Sequence, residues 1–151
     1  MTSVPRYIID PHKGAGPFRF GMARSEVGPI MGVEARTIDR RATGGDLVDI
    51  FFEQGVQILY DPKENIGAIQ FTSRQFTKLG EVLYPPDVRT DVPYSKFVKW
   101  VEKQDPAATF EAERFRSDAL GIAGGSRSDK SHKFLDHLLV YPLHYYENSS
   151  P

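Results

Sequence analysis

Between Leu47 and Thr72 the chain carries three short runs rich in β-branched and aromatic residues, and no other stretch limits its fold so closely. Leu47 to Glu53 and Val56 to Tyr60 flank Gln54-Gly55, a hairpin signal. Asp61-Pro62-Lys63-Glu64-Asn65 then turns the chain into a third run, Ile66 to Thr72. Three antiparallel strands are stable only when one face of the layer is covered, so helices or further strands must come from the rest of the sequence.

The preceding residues supply the first cover. Tyr7-Ile8-Ile9 reads as a short strand, His12 to Pro17 as a turn-rich loop, and Phe18-Arg19-Phe20 as an edge strand ended by Gly21. Ala23 to Met31 predicts a short helix with Val27, Ile30 and Met31 on one face, although Gly28-Pro29 should kink or shorten it. Glu34 to Asp39 is a further strand candidate, and Thr43-Gly44-Gly45-Asp46 a loop.

The second half follows the same order. Leu79 to Tyr84 predicts a strand, which Pro85-Pro86-Asp87 ends. Tyr94 to Lys103 is the clearest helix, with Tyr94, Phe97, Trp100 and Val101 in one apolar stripe and Pro93 at its start. Thr109 to Ala123 supplies one or two strands, Gly124 to Lys130 a flexible loop, and Phe134 to Tyr141 a last long strand. Laid over each other, the halves place Val27, Ile30 and Met31 on Phe97, Trp100 and Val101. Val56 and Ile58 fall on Leu120 and Ile122, and Ile69 and Phe71 on Leu139 and Tyr141. The expectation is one unit over residues 1–151 with internal repeats near 7–75 and 76–146.

Composition narrows the function. Of 151 residues, 40% are hydrophobic, enough for a real core. Nineteen basic and 20 acidic residues give a net charge of -1, which argues against direct nucleic-acid binding through phosphate neutralisation. With no cysteine, disulfides, thiolate catalysis and Cys-ligated zinc are excluded. The polar start, Met1 to Arg6, does not read as a secretory signal, and no run approaches the roughly 20 apolar residues of a membrane helix. The expected location is the cytoplasm, with no membrane partner.

Chemistry-bearing motifs are sparse. Gly14-Ala15-Gly16 leads into Pro17 and a strand, and Gly124-Gly125-Ser126 into a polar loop, so neither forms a phosphate cradle at a helix start. The histidines are His12, His132, His137 and His144; the odd spacing of His132 and His137 puts them on opposite faces of a strand, which disfavours a shared metal. No cofactor is implied. Asp46, Asp49, Glu53, Glu111, Glu113, Asp118 and Asp136 show no catalytic frame. Aromatics are 12% of the chain, and Tyr141-Pro142-Leu143-His144-Tyr145-Tyr146 is too aromatic for a frayed tail. Tyr141, His144 and Tyr145 are therefore candidate contact residues, as is His137. A second candidate surface is the sheet side that helices leave uncovered, expected to carry Asp49, Glu53, Gln57 and Gln70 with Arg114, Arg116 and Asp118.

The segment Phe18-Arg19-Phe20-Gly21-Met22-Ala23-Arg24-Ser25-Glu26-Val27, followed by Gly32, resembles the opening of BamE-like helix-then-sheet modules. The tandem form of that module is similar to the β-lactamase inhibitory protein family, and related-looking domains occur among immunity proteins of bacterial polymorphic toxins. Ala23 departs from the Ser or Thr cap of the pattern, and the lipidated cysteine of the envelope lipoproteins is missing. The resemblance implies an α+β fold of two helix-plus-antiparallel-sheet repeats. It also implies a non-enzymatic inhibitor, most plausibly an immunity protein that occludes the active site of a cognate toxin or enzyme. The alternatives are a small-ligand or scaffold-binding module, or a small hydrolase using Asp136 and His137.

Overall fold

A computed structural model of the protein describes residues 7–72, 82–84, 88–89, 94–111, 114–126 and 137–145. In chain order these form β1 (Tyr7–Asp10), β2 (Gly14–Ala15), β3 (Phe18–Arg19), α1 (Arg24–Met31), β4 (Arg36–Asp39), β5 (Leu47–Phe51), β6 (Val56–Tyr60) and β7 (Ile66–Thr72). There follow β8 (Val82–Tyr84), β9 (Val88–Arg89), α2 (Tyr94–Gln104), β10 (Thr109–Glu111), β11 (Arg114–Ser117), β12 (Ile122–Gly125) and β13 (His137–Val140). The expected features at Leu79 to Glu81, Pro85 to Asp87, Pro93, Arg127 to Lys130, His132, Phe134 to Asp136 and Tyr146 lie outside the described residues.

Two antiparallel meanders, β4–β7 and β10–β13, join along β13 and β7 into one eight-stranded sheet ordered β10-β11-β12-β13-β7-β6-β5-β4. The joint is a four-residue ladder that pairs Leu138 with Phe71 and Val140 with Ile69. A smaller sheet, ordered β3-β2-β1-β8-β9, includes one parallel pairing, β1 with β8.

Alternation along each strand puts one face of the large sheet inside. Leu47, Phe51, Val56, Ile58, Tyr60, Ile69, Phe71, Phe115, Ile122, Leu138 and Val140 are buried there. Val27 of α1, Phe97 and Val101 of α2, and Tyr7, Ile9 and Phe18 of the small sheet belong to the same cluster. Ring contacts join the layers: Phe97 lies 5.7 Å from Phe115, and Tyr7 lies 5.1 Å from Phe71.

Helix α1 is short because its ends are tightly drawn. Its entry is held against β7 by backbone bonds from Gly21 to Ile66 and from Ile66 back to Met22. The Ala23 N–H donates to the Glu26 carboxylate, a cap supplied by the first turn instead of by residue 23. Gly32, at φ 71°, closes the helix with a bond to the Gly28 carbonyl. Ile30, expected on the buried face, is 41% exposed. Helix α2 carries the stronger apolar stripe and runs one residue beyond its expected end.

The fold class inferred from the sequence needs correction. Among the described residues the structure is mostly β, with two helices against an eight-stranded antiparallel sheet and a smaller sheet, and is not a pair of helix-plus-sheet repeats. The physical reason is the β13–β7 ladder, which makes the large sheet continuous, and the N-terminal strands, which build a layer belonging to neither meander. Gly124 and Gly125, expected in a loop, are strand residues of β12. Among the described residues no helix is long and apolar enough to cross a membrane.

Candidate functional site

Residues of opposite parity to the core point to the other face of the large sheet. Register partners place Thr109, Arg116, Ala123, Leu139, Gln70, Gln57, Ile50 and Arg36 in one row that crosses all eight strands. A second row runs Glu111, Arg114, Gly125, His137, Thr72 across β10 to β7. A third runs Ile38, Val48, Leu59, Ala68 across β4 to β7. The β4–β6 side of this face is therefore mainly aliphatic, extended by Phe52, which is 51% exposed with the Arg36 guanidinium 5.9 Å from its ring centre. The β10–β13 side is polar and carries the guanidiniums of Arg114 and Arg116. Among the described residues, α1 and α2 pack on the opposite, buried face.

Four of the sequence-inferred residues, Gln70, Arg114, Arg116 and His137, line one depression of about 560 Å³ on this face. Its floor is low because β12 contributes only Ala123 to the first row and Gly125 to the second, between the long side chains of β11 and β13. Gly124 permits the close β12–β13 pairing: a Cβ there would lie 2.4 Å from the His137 carbonyl oxygen. Gln57 adjoins Gln70 in register.

At the β11 end, Asp118 accepts two bonds from Arg116, at 2.9 and 2.8 Å, and one from the Tyr141 hydroxyl at 2.9 Å. The Arg116 bonds, with help from Tyr141, hold the Asp118 carboxyl below its ordinary range against partial burial. His12 Nε2 lies 2.9 Å from the Asp118 carbonyl oxygen and ties the β1–β2 turn to this corner. Tyr141, expected as a contact residue, is instead buried, because its ring packs 5.5 Å from that of Tyr145 in the following turn, which also holds His144 at φ 62°. Glu53 is exposed in the β5–β6 turn, away from the depression.

Asp49 is the exception to the expected surface. It shares parity with Leu47 and Phe51, so it lies on the covered face, where its side chain is 8% exposed. Four donors surround its two oxygens: Arg24 Nε and Nη2 at 3.0 Å each, the Thr37 hydroxyl at 2.7 Å and the Tyr60 hydroxyl at 2.8 Å. Burial pushes this carboxyl up, but the bonds from Arg24, Thr37 and Tyr60 outweigh that and hold it below its ordinary range. Burial and the Asp49 contact raise the Tyr60 hydroxyl. A carboxylate so fully engaged has no lone pair placed for a substrate proton. Its work is to fasten the start of α1 to β4, β5 and β6. Glu64 and Arg41 extend the network outward to Asp39, whose carboxyl is held at about 2 by its bonds from Arg41.

Sequence reasoning missed Arg24, Thr37 and Tyr60 as partners of Asp49, and missed Arg36, Ile50 and Phe52 on the open face. The parity of β5 and β6 could have placed Asp49 and Tyr60 together; nothing local signals Arg24. Among the described residues, no three His, Asp or Glu side chains are grouped to hold a metal ion. Comparison of the chain with family models, with curated proteins and with solved structures returned no match.

Proposed function

We propose that the protein is a non-enzymatic inhibitor of the toxin-neutralising immunity class, acting in the cytoplasm by laying the open face of its large sheet over a cognate toxin or enzyme. One observation carries this reading: an eight-stranded face with an aliphatic side and a guanidinium-bearing side, while among the described residues α1, α2 and the small sheet all pack on the other face. Seven inter-strand gaps make the face roughly 34 Å wide before twist. A patch of about 800 Å² per partner, usual for a stable complex, is roughly 30 Å across. Aliphatic contact supplies affinity, and the charged side sets register and on-rate. A hydrogen-bonded sheet is also pre-ordered, which limits the entropy lost on docking.

The test is co-expression with the protein encoded by the adjoining reading frame. Growth should be rescued, and in purified mixtures the partner's activity should fall to zero at one equivalent. The paired variant Gln57→Arg and Gln70→Arg, at the centre of the face, should weaken neutralisation about 100-fold while the chain stays folded, its melting temperature lowered only slightly by repulsion between the two cross-strand guanidiniums. Partner activity that persists at excess, or that this variant inhibits as well as the parent chain, would overturn the reading.

A further inference from the structure

The depression over β12 is more specific than the rest of the open face. We infer that it is the seat for an acidic side chain of the partner, an inference that rests on the docking reading of this face. The geometry is that of a socket: Ala123 and the Gly124 backbone leave the floor low, while Arg114 and Arg116 rise on one side and His137 and Leu139 on the other. Hydrogen-bond donors dominate its walls. Among the described residues, two guanidiniums, the Gln70 amide and an imidazole face a single carboxylate, Glu111, on the outer strand.

The two guanidiniums differ in what they can offer. Arg116 is engaged bidentately by Asp118 and is held in place by it. Arg114 is exposed and has no ion pair or side-chain hydrogen bond among the described residues, although Glu111 is its register partner. Its planar fork of donors matches a carboxylate, and two parallel charge-assisted bonds would fix both position and orientation. A glutamate or aspartate entering over Ala123 would meet Arg114 at its head and Leu139 along its stem. Desolvation by the surrounding partner surface would strengthen that contact over a solvent-exposed pair.

Two measurements on the full chain test this. In the first, the nitrogen-15-labelled protein is titrated with N-acetyl-glutamate methylamide, and separately with its glutamine and lysine counterparts. The glutamate probe should shift the Arg114 Nε–Hε resonance and the Ala123 amide saturably, and the Arg114→Gln variant should bind it at least about tenfold more weakly. Equal responses to all three probes, or a response to the lysine probe alone, would overturn the assignment. In the second, Arg114→Gln enters the neutralisation assay, where a loss of about tenfold or more is expected. Neutralisation unchanged by Arg114→Gln but lost in the paired Gln57 and Gln70 variant removes the acidic seat and leaves the docking face standing. Neutralisation indifferent to both removes the docking face and the seat with it.

Discussion

Asp49 shows how a charge can serve the inside of a sheet. Its carboxylate accepts from a guanidinium and two hydroxyls, so its burial cost is offset by charge-assisted bonds. Asp49→Ala would leave Arg24 and Tyr60 without that acceptor. We expect a loss of about 2–3 kcal/mol, roughly 5–10 °C in Tm, measurable by thermal denaturation. Because the folded state holds this carboxyl below its unfolded value near 3.9, the unfolded chain takes up the proton first as pH falls. The stabilisation is therefore complete above about pH 5 and is lost as pH drops through the folded-state value. Asp49→Asn should flatten that acid limb in a series of denaturant melts at different pH, and an unchanged limb would count against the network. In the sequence the residue reads as a charge, and a lone charge on a strand favours exposure. Its parity with Leu47 and Phe51 points inward, and the bonds from Arg24, Thr37 and Tyr60 make that position tolerable; of these partners, Arg24 is the one no local pattern signals.

Among the elements, the glycines of α1 and β12 play opposite parts. Gly28 lies inside α1, and a Cβ added there meets nothing within 4 Å. Gly28→Ala should therefore stabilise the protein by about 0.5–1 kcal/mol, seen as a raised denaturation midpoint. Gly124 sits opposite Phe115, with a Cβ 2.4 Å from the His137 carbonyl and 3.3 Å from the ring. Backbone cannot yield cheaply, so Gly124→Ala should cost at least about 2 kcal/mol and disturb the β12–β13 ladder in amide exchange. Strands β5, β6 and β7 were legible because apolar alternation and short turns agree along one stretch. β12 was not, because Ile122-Ala123-Gly124-Gly125 reads as a turn; its strand character comes from the partners on either side and from the Phe115 ring over Gly124. Open-face residues Gln57, Gln70, Arg114 and Arg116 are legible from alternation alone, whereas the gathering of Gln70, Arg114 and Arg116 into one depression depends on cross-strand register, which one sequence does not encode locally.

For the whole molecule, the decisive pairing is β13 with β7, which turns two meanders into one surface. It lies between strands far apart in the chain, so nothing in local sequence announces it, and the expectation of separate helix-plus-sheet units failed there. The consequence is a broad face that a smaller sheet could not present, backed by a core that both helices and the N-terminal strands share. Neutralisation depends on that face being where a partner docks. The most direct measurement is titration of the adjoining gene product's activity with the parent chain, with the paired Gln57→Arg and Gln70→Arg variant, and with Ser25→Arg on the exposed side of α1. The account predicts a stoichiometric end-point for the parent and for Ser25→Arg, and about 100-fold weaker inhibition by the paired variant. Full inhibition by the paired variant together with loss in Ser25→Arg would contradict it and move the docking surface to the helical side.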